Sequence, residues 1–289
     1  MAMVPFEPPV PPSPARLQRS DGVGRLGFAA GPAGARLCDL YQSDPVRFLF
    51  PRPAPGEPTT AVVVTTSGGI AGGDRIALAM AADAGVVATV TTQAAEKVYR
   101  SLGPDAHLAA SVSVGDGGWL EWLPQETILF DGARLRRRTD LDVAAGGRVL
   151  ALEMVVFGRI ARGEAFTRGA LREDWRVRVD GRPAWADALR LVEPLAPLFA
   201  ATAGLAGARA LATLVHVGPA AAAAREAVRD AADGDDGVRV GASAIGPVMV
   251  ARFLGGDAQI LRRAVLRAVG AVRSRLAGLP ERLPELWYG

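Results

Sequence analysis

The chain has 289 residues, 49% of them hydrophobic and 22% charged, which is enough apolar side chain to bury a core and too much for a chain that stays unfolded. Basic residues number 33 and acidic ones 30, so the isoelectric point near 9.6 reflects a surplus of +3 rather than a nucleic-acid-binding patch. One cysteine, Cys38, and two histidines, His107 and His216, exclude an internal disulfide framework and a cysteine-based zinc cage, so any metal would have to meet carboxylates, carbonyl oxygens and water.

Residues 1–20 carry six prolines in their first fourteen positions and read as a Pro-rich flexible tail. Residues 21–289 read as a single β-rich domain with C-terminal helices. No basic-then-apolar leader and no apolar run of roughly 20 residues is present, so the expected location is the cytoplasm. Short apolar runs rich in β-branched residues predict strands at 61–66, 86–92, 108–114, 119–123, 149–157 and 175–179, then 210–217 and 248–254. An Ala-rich segment at 219–233 predicts a helix. A second is predicted at 257–279, with Asp257 as N-cap, an apolar face of Ile260, Leu261, Val265, Val269, Val272 and Leu276, and Gly278 and Pro280 beyond its end. Strands come before helices, which predicts a mainly β fold and argues against a doubly wound nucleotide fold.

Several motifs match only as text. Residues 22–27 (GVGRLG) spell a dinucleotide fingerprint without the preceding strand and following helix that make it work. Gly68 to Gly73 has Walker spacing, but Asp74 and Arg75 follow where lysine and a hydroxyl residue should stand. Ser243 lacks the last glycine of a nucleophile elbow. His216 reads as a hydrogen-bonded core or edge residue and His107 as a loop exit. The basic run Arg134, Arg136, Arg137 and Arg138 reads as a solvated strand face or an interface rim. Glu121, Glu126 and Asp131 fall within eleven residues of an apolar, aromatic stretch, the residue types of a glycoside hydrolase pair or of carboxylates that each pair with an arginine or cap a turn.

Four blocks in order, 66–75 (TSGGIAGGDR), 92–101 (TQAAEKVYRS), 120–134 (LEWLPQETILFDGAR) and 157–166 (FGRIARGEAF), resemble the signature blocks of the urease accessory protein UreD (UreH) family. Weaker blocks at 35–51 and 171–184 extend the resemblance to most of the chain. It implies a non-enzymatic nickel-insertion chaperone that scaffolds the helical partner UreF, and through it the GTPase UreG, on apo-urease, and helps pass nickel to the urease active site. It also implies an irregular β-helix-like stack of short-stranded sheets with helices in the C-terminal third. No tightly bound cofactor is expected, only transient nickel(II), in a hetero-oligomer that binds neither nucleic acid nor membrane.

A carrier with several Cys and His ligands would hold nickel too tightly to release it, whereas spaced oxygen ligands bind weakly and let the ion move on. The candidate weak path is Asp74, which ranks first, then Glu126 and Asp131, with Glu96, Glu121, Glu153 and Glu164. Glu96 stands where the family more often carries a small hydroxyl residue. Two rival readings remain: a docking module without a metal path, and a carboxylate-dependent hydrolase. An interface made for a helical partner also predicts exposed apolar surface and a poorly soluble isolated chain.

Overall fold

A computed structural model describes residues 19–32, 34–232 and 237–288. Most of the expected Pro-rich tail, residues 1–18, lies outside the described residues. Among the described residues, seventeen strands form two sheets that face each other. In chain order they are β1 (Asp21–Gly31), β2 (Gly34–Gln42), β3 (Val46–Leu49), β4 (Thr59–Thr65), β5 (Arg75–Ala82), β6 (Val87–Thr92), β7 (Glu96–Val98), β8 (Ala106–Val114) and β9 (Trp119–Leu123). There follow β10 (Thr127–Leu129), β11 (Arg134–Val143), β12 (Arg148–Phe157), β13 (Ala170–Val179), β14 (Arg182–Val192), β15 (Ala210–Val217), β16 (Val238–Ile245) and β17 (Val248–Gly255). The helices are α1 (Ala196–Ala200), α2 (Ala221–Ala232) and α3 (Ala258–Ala277).

From β4 to β13 the chain alternates between the sheets, and successive strands within each sheet are parallel. That winding is a two-faced β-helix, in which β7 and β10 stay in the second sheet after β6 and β9 and pair beside the last residues of β12. The first sheet has the order β14-β13-β11-β8-β5-β1-β2 and the second β16-β17-β15-β12-β9-β6-β4-β3. The expected mainly β, β-helix-like stack with C-terminal helices is what forms.

Period-two alternation decides what each strand contributes. The first sheet buries one face: Leu135, Leu141 and Val143 of β11 and Leu171, Trp175 and Val177 of β13 point into the space between the sheets. Both faces of the second sheet are covered at its centre, so β9 and β15 are buried along their whole length and β12 at every residue after Arg148. One face of those strands joins the inter-sheet core. The other, with Trp119, Leu123, Leu152, Met154 and Leu214, meets α2 and α3. The sides of α3 follow its sequence: Leu261, Val265, Val269 and Val272 are buried, Asp257 accepts hydrogen bonds from the N–H groups of Gln259 (2.8 Å) and Ile260 (2.9 Å), and left-handed Gly278 ends the helix.

The residues that spell the dinucleotide fingerprint form β1 instead. A Cβ on Gly22 would stand 2.7 Å from Pro45 Cδ, and one on Gly24 2.8 Å from Leu78 and Phe48, so these glycines let neighbouring chain approach the strand. His107 lies within β8 rather than at a loop exit, and is exposed. His216 is fully buried but departs from expectation in one respect: neither ring nitrogen has a hydrogen-bond partner among the described residues. Burial lowers its pKa to about 4, and the nearby Arg148 charge acts in the same direction.

Candidate functional site

Two strands of like register place charge where apolar side chains would be expected. In β11 the exposed positions carry Arg136 and Arg138, but Arg137 falls on the inward side between Leu135 and Thr139. The basic run is therefore a solvated face for Arg134, Arg136 and Arg138, which pair with Asp105 and Asp140, and a core residue for Arg137. Directly opposite Arg137 in the parallel register is Glu173 of β13, also inward. From the facing sheet, Glu153 of β12 reaches the same guanidinium, with Nε 2.9 Å from Oε2. Arg137 Nη2 donates to Glu173 and Nη1 to the Thr127 hydroxyl at 2.9 Å, while the Thr139 hydroxyl donates to Glu153. All five side chains are buried.

Two carboxylates therefore share one guanidinium. Burial and the neighbouring Glu173 raise Glu153, against the pull of Arg137, to a pKa of about 7. Burial also opposes the charge on Arg137, but the two carboxylates outweigh it and hold its pKa above the ordinary value.

A cavity lies on each side of this cluster. One, of about 80 Å³, is bounded by β4, β5, β6, β8, β9 and β10 and has Arg137, Thr139 and Glu153 in its wall. Its half-buried polar lining residues are Thr65, Thr92 and Glu96. Burial raises the pKa of Glu96, and the Thr65 hydroxyl and the Lys97 backbone only partly offset this. The other cavity, of about 250 Å³, lies between β13 and β14 on one sheet and β15 and β17 on the other; Glu173, Thr213, Asp187 and Arg252 are its polar lining. Asp187 and Arg252 form an ion pair there. The strand order puts β11 and β12 between the two spaces, so Glu96, Glu153 and Glu173 follow one another between the sheets toward Asp187, which is half-buried and paired with the exposed Arg252.

Of the seven carboxylates picked out in the sequence, Glu96 and Glu153 share one cavity. The other five do not join them. Asp74 is buried at the turn before β5, where its two oxygens accept from the N–H groups of Ser20 (2.9 Å) and Ala71 (2.8 Å). Glu121 is on the helix side of β9 and accepts from Arg273 Nε (2.8 Å), the Thr89 hydroxyl (2.6 Å) and Trp119 Nε1 (3.0 Å). Glu126 pairs with Arg262 of α3. Asp131 accepts from the N–H groups of Thr167 (2.8 Å) and Arg168 (2.9 Å) and pairs with the Arg168 guanidinium; these ties outweigh its burial and bring its pKa to about 2. Glu164 pairs with Arg159 and accepts from the Asp131 N–H at 3.0 Å, and its pKa is lowered, chiefly by Arg159. Glu121, Glu126 and Asp131 thus serve separate partners and do not flank a common cleft as a hydrolase pair would.

Glu173, Asp187 and Arg137 were missed as site residues. The signal for two of them was present: a charge at an inward position of an alternating strand, flanked two residues away on each side by residues of the buried face. Among the described residues, no three His, Cys, Asp or Glu side chains gather in a group able to hold a metal.

Residues 20–288 match the family model described as UreD urease accessory protein. The chain belongs to the UreD family. Three relatives named urease accessory protein UreD agree with this. Those of Magnetococcus marinus (44% identity, 93% of this chain and 94% of that protein) and Rhodopseudomonas palustris (42%, 94% and 94%) are similar end to end. So is the first of the copies in Methylobacterium radiotolerans (42%, 96% and 96%). As a member of a family of urease accessory proteins, the protein takes part in urease maturation. No helix among the described residues is long and apolar enough to cross a membrane.

Proposed function

We propose that this protein carries nickel(II) as cargo through the space between its two sheets while it holds UreF, and through UreF the GTPase UreG, on apo-urease. Glu96, Glu153, Glu173 and Asp187 would be the stepping points, and no one of them would bind the ion tightly. The observation that carries this reading is the succession of four carboxylates along two cavities between the sheets, with only Arg137 and Arg252 as counter-charge in the two linings. Burial already raises the pKa values of Glu96 and Glu153, and a cation that comes and goes would favour their charged forms. Oxygen donors suit release, because nickel ranks high in affinity for nitrogen and sulfur sites.

A docking surface is supported separately. β2 ends the first sheet and β3 ends the second, the two strands touch, and Leu37, Leu40, Tyr41, Leu49 and Phe50 are exposed there. An apolar pair of sheet edges of that kind fits a protein partner and a poorly soluble isolated chain. A scaffold without a metal path would need this surface alone, so it is the second reading.

The test is urease activation in cells expressing the whole operon, with Glu96→Gln and Glu153→Gln combined. Activation should fall while the variant still copurifies with UreF, UreG and urease. Full activation would remove the path and leave the scaffold.

A further inference from the structure

Arg137 lines the smaller cavity, and its partner Glu173 lines the larger one. The guanidinium is held from both sheets, by Glu153 of β12 and Glu173 of β13, and it leans toward the Glu96 side through the Thr127 hydroxyl. The hold is incomplete. Nε lies 2.9 Å from Glu153 Oε2, yet its N–H is not aligned on any acceptor among the described residues.

We propose that Arg137 is a displaceable internal counter-ion that closes the strait between the cavities when it is empty, and that a divalent cation opens it by taking the place of the guanidinium between Glu153 and Glu173. This rests on the nickel passage proposed above and assigns its gate. One guanidinium cannot match both Glu153 and Glu173, so one of the two carboxyls is left either charged without a partner or protonated; a doubly charged ion matches both. A sodium or potassium ion brings no more charge than the guanidinium and fewer directed contacts, so it has no means of displacing it. The gate therefore selects by charge. The Thr127 and Thr139 hydroxyls add neutral oxygens at the same spot. Glu96, which lines the same cavity as Arg137 and forms no ion pair with an arginine among the described residues, is the carboxylate available to receive the released side chain.

The experiment is equilibrium dialysis of nickel(II) against the full chain, copurified with its partners, in excess potassium. Arg137→Met keeps the length of the side chain and removes its charge. It should bind nickel on the order of 10-fold more tightly, since a cation no longer competes for the pair, and should pass less of it to urease. Arg137→Lys should retain wild-type binding more closely. Because Arg137→Met leaves two buried carboxylates unpaired and can fail to fold, Glu173→Gln is the second variant: it leaves Arg137 matched one to one with Glu153 and should weaken nickel binding by roughly 10-fold. A folded Arg137→Met with unchanged affinity overturns the gate, and so does unchanged affinity in Glu173→Gln. If Glu153→Gln lowers activation while both of those variants bind nickel as wild type does, the gate fails and the passage stands. Normal activation by Glu153→Gln removes both.

Discussion

Arg273 of α3 and Glu121 of β9 meet at 2.8 Å with neither side chain exposed to solvent. The same guanidinium pairs with Glu57 at 2.7 Å and donates to the carbonyl oxygens of Pro280 and Arg282, both at 2.9 Å. One side chain thus ties the second sheet, the loop before β4 and the C-terminal segment to the last helix. Arg273→Met would strand two carboxylates, and breaking a buried pair in this way costs about 3–5 kcal/mol. The midpoint of urea unfolding should drop accordingly. Adding Glu57→Gln and Glu121→Gln should recover part of the loss, because neutral amides are cheaper to bury than unpaired charges.

Gly270 offers a reversal of an ordinary rule. Glycine inside a helix normally gains about 1 kcal/mol on replacement by alanine. Here a Cβ would stand 2.4 Å from the carbonyl oxygen of Glu281, which is backbone. Gly270→Ala should therefore destabilise the protein and push the C-terminal segment off α3, read as a lower melting temperature and faster proteolysis after residue 278.

Two buried groups titrate against each other. The folded-state pKa of His216 is about 4, below the usual 6.5, so the unfolded chain takes up the proton first and stability falls as pH drops from 6.5 to 4, by roughly 3 kcal/mol. Glu153 has a folded value of about 7, above the usual 4.5, so its contribution is full below pH 4.5 and is lost as pH rises through 7. Between pH 4.5 and 6.5 the slopes oppose. Denaturation at a series of pH values should show His216→Leu becoming less stable as pH rises through that window, and Glu153→Gln becoming more stable.

Much of this was legible in the sequence. The strand runs, the Asp257 cap and Gly278 stop of α3, and the four ordered blocks carried the fold class and the family, because periodicity and turn chemistry are local. The site was only half legible. Asp74 looked free because nothing charged precedes it, but its partners are backbone N–H groups, which no sequence displays. Arg137 looks like part of a solvated run because its neighbours Arg136 and Arg138 are charged as well, and only the alternation of the strand turns it inward. Glu57 and Arg273, 216 residues apart, and Arg137 and Glu173, 36 apart, meet only through the winding of the sheets.

The central claim is that cargo moves through the space between the sheets, and Ala110 tests it without altering any charge. This buried residue of β8 lines the cavity that holds Glu96 and Glu153. Ala110→Leu would fill much of that cavity at an overpacking cost of about 1–3 kcal/mol. The measurement is the rate at which purified apo-urease gains nickel from the assembled complex carrying this variant, with a chelator removing free metal. The account predicts a slow or absent gain from a complex of normal composition; a wild-type rate from that same complex would contradict it.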